Sequence, residues 1–241
     1  MSFKDKYKCD SISDHECECP VSTSPGYSGN FNLECGECLK IFESDGPVEI
    51  DMEVGQNSGN DCTIMVTVEL ADEENLEFHI PKRDSSDSNS ISCNTKRALK
   101  ITVECRSDSL EGGTCSGFWN VELILRGSDT DRRCECPVID SVSRFSSFML
   151  KSSESQVIYQ SVQSAEITFT VELFPSSSKG ILTVIAELDN CSLLKFVIPT
   201  TASLNNEILF YSKNVTKVTL ECLNSTNCSG SWFREKYFRG A

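Results

Sequence analysis

The pentapeptide "CECPV" occurs twice, at Cys17–Val21 and at Cys134–Val138, and the repetition extends far beyond it. Shifted by 117 residues, "FNLECGECLKIFESDGPVEI" (Phe31–Ile50) lies over "FMLKSSESQVIYQSVQSAEI" (Phe148–Ile167) without a gap. "ELADEENLEFHIP" (Glu69–Pro81) lies over "ELDNCSLLKFVIP" (Glu187–Pro199), and "KITVEC" (Lys100–Cys105) over "KVTLEC" (Lys217–Cys222). "CSGFW" at Cys115 matches "CSGSW" at Cys228. Any fold for this chain must therefore be one that a stretch of about 110 residues can form twice. The sequence divides into a lead at 1–33, a first domain at 34–127, a second lead at 128–147 and a second domain at 148–241. The boundary falls near the polar "RGSDTDRR" (Arg126–Arg133).

Each copy has the period of a half-buried strand. Val48, Ile50, Met52 and Val54 alternate with Glu49, Asp51 and Glu53; Ile64, Val66, Val68 and Leu70 repeat the pattern. So do Leu99, Ile101 and Val103, then Trp119, Val121, Leu123 and Leu125, and in the second copy Ile167, Phe169 and Val171 and Leu182, Val184, Ala186 and Leu188. Side chains alternate across a strand, so this spacing buries one face and wets the other. No stretch shows a helical stripe. Six to eight short strands per copy predict an all-β chain of two tandem jelly-roll-like β-sandwich domains, each with an extended N-terminal connector. Such sandwiches have open edges to which a further strand adds, and the polar, Ser- and Pro-rich leads are candidates.

The chain carries 36 acidic against 22 basic residues, a net charge of -14. That balance argues against nucleic acid, whose binding needs Lys and Arg to release counterions, and against docking on anionic membrane. No run approaches the roughly 18 apolar residues of a membrane span. The start, "MSFKDKYKCDS", lacks the apolar core of a secretory signal, yet 14 cysteines point to disulfides and an oxidising location. A removed leader, release without secretion, or metal binding would each reconcile the two.

The repeat sorts the cysteines. Cys105 and Cys115 correspond to Cys222 and Cys228, each pair flanking the turn between the last two strands, which makes a bridge across that hairpin a candidate in both copies. Cys62 and Cys191 are close in the repeat but not aligned. Cys35 and Cys38 of "CGEC" align with Ser152 and Ser155. The second copy with its lead holds five cysteines, an odd number, and Cys9 has no counterpart at all. Cys17 and Cys19, like Cys134 and Cys136, point to the same side of an extended lead about 7 Å apart, too far to bridge each other. They are placed to bond thiols elsewhere: Cys9, Cys17, Cys19, Cys134, Cys136, Cys35 and Cys38 are the candidates for bonds between domains or molecules. A lead that must find another molecule generates a head-to-tail, non-closing fibre. The alternatives are a monomer or a secreted binding module stapled within one chain, and a four-thiolate zinc site from Cys17, Cys19, Cys35 and Cys38. Against zinc, the second copy keeps C-x-C while losing the other half.

Nothing points to an enzyme or a cofactor. Gly113–Gly117 has the G-x-C-x-G spacing of a nucleophile elbow, but the strand "FWNVELIL" follows where a helix is required. The two histidines, His15 and His79, belong to no repeated Cys–His–acid pattern. "DSSDSNS" (Asp84–Ser90) lacks the glycine and glutamate of an EF-hand and reads as a solvated loop. Of the sequons at Asn190, Asn214, Asn224 and Asn227, two have cysteine in the middle position.

"CLKIFESDGPVEI", the turn "QNSG", "CNTKRALKITVEC" and the strand ending "FWNVELIL" together resemble the Ena-type endospore appendage subunits. The resemblance runs through each copy almost end to end. It implies small jelly rolls that stack by strand augmentation, with connector cysteines bonding covalently to earlier subunits of an extracellular fibre on the spore surface. It also implies synthesis in the mother cell without a signal peptide. The partners implied are further copies of the chain, and possible companions are other fibre or spore-coat subunits. By matching position, the connector thiols are Cys9, Cys17, Cys19, Cys134 and Cys136, and the acceptors are Cys35, Cys38 and Cys115 or Cys228. The chain departs from the family in fusing two domains, in C-x-C rather than adjacent cysteines, and in extra bridges such as Cys105 to Cys115.

Overall fold

The computed structural model describes residues 21–23, 25–57, 62–72, 74–81, 89–106, 113–126, 129–130, 133–134, 138–176, 180–200, 205–223 and 227–239; at 21–23, 126, 129–130, 133–134 and 138–139 only the backbone is described. Among the described residues all regular structure is β. The first half holds β1 (Val21–Thr23), β2 (Gly26–Glu34), β3 (Cys38–Gln56), β4 (Thr63–Leu70), β5 (Asn75–Ile80), β6 (Asn89–Arg106) and β7 (Thr114–Arg126). A short ladder of β8 (Asp129–Thr130) and β9 (Arg133–Cys134) follows. The second half holds β10 (Val138–Leu150), β11 (Ser155–Leu173), β12 (Ile181–Leu188), β13 (Leu193–Pro199), β14 (Asn206–Leu223) and β15 (Cys228–Arg239).

Two long strands in each half bend from one layer into the other. The start of β3, Cys38–Glu43, pairs with Lys100–Glu104 of β6; after a register break between Glu43 and Val48, its end pairs with Asn89–Ala98. If β3 and β6 each count as two segments, the chain order is β2, β3 start, β3 end, β4, β5, β6 start, β6 end, β7. Hydrogen bonding arranges these as 1-8-3-6 in one layer and 2-7-4-5 in the other, which is the strand order of a jelly roll. The second half repeats it strand for strand: β10, β15, the end of β11 and the start of β14 in one layer; the start of β11, the end of β14, β12 and β13 in the other. The alternating residues read from the sequence bury as that pattern requires, Ile50, Met52, Val54, Ile64, Val66 and Val68 among them.

The sheet begins earlier than the polarity of the leads suggests. Residues 26–33 and 138–147, read from sequence as connector, form most of β2 and β10, antiparallel to the last strand of their own half. Two apolar residues at period two suffice: Phe31 and Leu33 are fully buried, and Phe148 and Leu150 occupy the same places in β10. Each Phe ring sits over the glycine opposite it, Phe31 over Gly117 and Phe148 over Gly230. A Cβ at either glycine would overlap both the ring and a backbone carbonyl, that of Gly55 or Glu172. The glycine of the repeated CSG-x-W motif thus makes room for the first strand's aromatic anchor.

A jelly roll of this order has two open sides: a near side formed by segments 1 and 2, and a far side formed by segments 6 and 5. The near side of the first half abuts the far side of the second. Phe42–Ser44 of β3 pair in parallel with Leu209–Tyr211 of β14, running one layer of each half into a single continuous sheet. Beside this ladder, the edge amides of β2 are capped by side chains: Asn30 N donates to Glu207 Oε2 (2.7 Å) and Asn32 N to Asn206 Oδ1 (2.8 Å). Lys40 Nζ donates to the Lys195 carbonyl of β13 and lies 4.4 Å from the Phe196 ring centroid. Ser212 and Asn214 donate to Asp45 Oδ2. The Tyr27 hydroxyl reaches Thr168, Tyr237 and Glu235 at 2.6, 2.7 and 3.1 Å. Burial raises both phenols well above the usual tyrosine range, so both remain protonated donors.

Three outcomes follow. Gly117→Ala or Gly230→Ala is expected to cost about 1–3 kcal/mol by overpacking, read as a lowered midpoint in chemical denaturation. Tyr27→Phe removes the shorter of the two hydroxyl contacts of the wholly buried Thr168, leaving it Tyr237 at 3.2 Å, and is expected to cost about 1–2 kcal/mol in the same measurement. Glu207 carries the third: burial, then the neighbouring Glu172, push its carboxyl up from 4.5 to about 7 against the pull of the Asn30 amide. A carboxyl with a raised folded value binds its proton more tightly folded than unfolded. Its stabilisation is therefore complete below pH 4.5 and lost as pH rises through about 7. Glu207→Gln should flatten that slope, on the order of 1 kcal/mol for a partly exposed group, in denaturation series between pH 5 and 8.

Candidate assembly interface

Docking the first half's near side on the second half's far side uses one of each. The first half's far side (β5 and the start of β6) and the second half's near side (β10 and the start of β11) have no partner strand beyond them among the described residues.

The repeat supplies an internal control for what covering a far side does. Phe196 and Phe210 line the docked far side and are fully buried. Their counterparts on the undocked one, Phe78 and Cys93, are only partly buried. Ile208 is fully buried, and its counterpart Ile91 is only partly so. The near side of the second half shows the same lack of cover: Val142, Phe145, Met149, Val157 and Val162 all stand exposed on β10 and β11. Unpaired edge backbone flanked by apolar side chains is a template for another strand.

The structure brings some of the predicted cysteines together and leaves others apart. Cys105 is joined to Cys115 and Cys222 to Cys228, each with Cα atoms 5.7 Å apart across the last hairpin of its half. Cys35, offered by the sequence for a bond outside its domain, is instead joined to Cys62 of the same half, Cα–Cα 7.1 Å. The tight turn at Gly36 (φ 89°) sets Cys35 over the end of β6, within reach of Cys62 just ahead of β4. This pairing was not legible, because the second copy has serine at 152 and places Cys191 elsewhere. Cys191 sits exposed in the turn between β12 and β13 with φ 65°. Cys38 is an exposed thiol at the start of β3, and Cys93 a half-buried one on the undocked far edge, its thiol raised by burial and by Asp51. Cys9, Cys17, Cys19 and Cys136 lie outside the described residues, as does the side chain of Cys134.

The sulfurs of Cys35, Cys62 and Cys105 lie within 4.8 Å of one another. Reduced, they would offer three thiolates to a soft cation; in their bridges none is a ligand. Cys115 of the G-x-C-x-G stretch is buried and bridged on a strand, without the strand-to-helix turn that exposes a nucleophile. His79 is exposed on β5 opposite Met65; His15 and most of Asp84–Ser90 lie outside the described residues. Among the described residues no helix is long and apolar enough to cross a membrane.

No family model matches the chain, and no characterised protein matches it in sequence. Solved structures overlap it weakly. A triple jelly-roll protein of an archaeal virus turret assembly superposes with a TM-score of 0.30 and 11% identity over 92% of this chain and 59% of that one. The VP2 subviral particle of infectious bursal disease virus gives 0.30 and 11% over 95% and 75%. The exported protein XepA of PBSX gives 0.29 and 9% over 89% and 86%. Overlaps at this level carry no functional argument, and the jelly-roll order stands on the strand pairing itself: the chain is an all-β, disulfide-bridged jelly-roll protein.

Proposed function

We propose that the chain is a structural, non-enzymatic subunit that polymerises head to tail into a disulfide-cross-linked extracellular fibre, as the Ena-type endospore appendages do. One observation carries the reading. The two halves are joined near side to far side, and among the described residues the complementary far and near sides have no partner strand, at opposite ends of the pair. The same joint between molecules is heterologous, with a different surface on each partner, so repetition extends the chain rather than pairing two copies. Strand augmentation suits it, because main-chain hydrogen bonds hold and side-chain pockets select.

The leads supply the covalent part. Among the described residues six cysteines are bridged within their own half, and five of the fourteen in the sequence belong to the leads. Cys38, Cys93 and Cys191 remain as acceptors on described surfaces. Bonds from Cys9, Cys17 and Cys19 to these thiols of a neighbouring copy would make the polymer resist dissociation until reduced. The spore surface as location, and companion fibre or coat subunits, belong to the same proposal.

Purified protein is expected to form filaments in negative-stain micrographs and a ladder of multimers on non-reducing gels that collapses with thiol. Replacing Cys9, Cys17 and Cys19 by serine should remove the ladder while leaving the monomer folded. A monodisperse chain with all its bonds internal by mass mapping would favour a disulfide-rich binding module instead.

A further inference from the structure

The internal joint is a template from which the contact between molecules can be read residue by residue. Every group at the joint has a counterpart on the uncovered sides, fixed by strand register. Tyr27, opposite Val121, corresponds to Arg144, opposite Arg234. The Thr168–Glu235 pair on the docked face corresponds to the Asp51–Glu122 pair on the undocked one. Where the internal joint sets a neutral phenol over a threonine and a glutamate, the external one sets an exposed guanidinium over two exposed carboxylates. Asp51 and Glu122, with Glu53, Ser92 and Asn120, line an open concavity of about 450 Å³ on the first half.

Some of the other counterparts fit the same docking, whereas Glu207, Asp45 and Tyr237 are replaced by Ser90, Val162 and Ile124 and have no equivalent bond. Asn206 accepts from the edge of β2 while its own amide donates to the Pro199 carbonyl at 2.9 Å. Asn89 is held by the same bond to Pro81 at 3.3 Å, and in an equivalent docking it would face the Met149 amide of a second copy, the counterpart of Asn32. Lys40 over Phe196 becomes Val157, 47% exposed, over the half-exposed Phe78. The ladder Phe42–Ser44 against Leu209–Tyr211 becomes Tyr159–Ser161 against Ser92–Asn94.

We infer that a second copy of this chain is the occupant of the uncovered far side. It docks with its β11 edge parallel to β6 in the register Tyr159 to Ser92, and Arg144 inserts between Asp51 and Glu122 of the neighbour. This rests on the fibre reading and adds to it the register and a charge lock that the internal joint does not have. Opposed charges at such a joint select the partner and speed its encounter, and like charges forbid it.

The test uses full-length chains bearing R144E, or D51R with E122R, with folding checked by circular dichroism. At about 0.15 M salt each variant alone is expected to lose at least about tenfold of its sedimentable fibre, because each brings like charges together. Mixed in equal amounts the two should recover wild-type yield, since in an alternating polymer every joint again pairs opposite charges. Wild-type assembly by R144E alone, or a mixture no better than its components, would overturn the register while leaving the fibre reading intact. A wild-type chain that does not polymerise would overturn both.

Discussion

The parallel pairing of β3 with β14 is the contact on which the arrangement of this molecule turns. Edge amides and carbonyls of a sheet must be satisfied by something, and water at the rim of a sandwich is a poor seal for the apolar residues just inside. By pairing Phe42–Ser44 with Leu209–Tyr211 the chain closes one edge of each half at once and lets a single hydrophobic cluster run through both. The polar groups drawn in with it are answered in turn. Thr168, Asn206 and Ser212, all at most 1% exposed, each find a partner across or beside the joint. A buried interface this polar is stable only because so few of its groups are left short.

The same economy explains the disulfides. In each half the last hairpin is bridged, Cys105 to Cys115 and Cys222 to Cys228, at loops of only ten and six residues. Short loops restrict the unfolded chain least, so these bridges act more on the rigidity of the hairpin that feeds β7 and β15 than on overall stability. Those strands hold β2 and β10, the terminal strands of each layer and the ones nearest the leads.

Much of this was legible in the sequence, and the reasons differ by feature. The repeat and the period-two runs gave the strands, because burial of one face dictates the alternation directly. The first strands were missed because two apolar residues, Phe31 and Leu33, in a polar stretch fall below what periodicity can resolve; the signal that could have found them was the glycine of CSG-x-W, which has no reason to repeat unless a bulky group lies opposite. The Cys35–Cys62 bridge was hidden because it has no second copy. The docking of one half on the other was hidden because it depends on strand edges, and edges have no sequence period.

The divergence of the two copies is itself informative once the fold is known. Positions facing each sandwich's own core have changed little in character: Phe31 and Phe148, Leu33 and Leu150, Gly117 and Gly230. Positions at the joint have parted, Tyr27 from Arg144, Thr168 from Asp51, Phe210 from Cys93. A joint within one chain forms at an effective concentration set by a short linker and needs no steering, so it can be built from phenols and phenylalanines that must be desolvated completely. A joint between chains has to be found by diffusion and kept from forming wrongly, which favours exposed charges of opposite sign. In the proposed assembly, the two copies part where one contact is made once during folding and its counterpart would be made with a second chain.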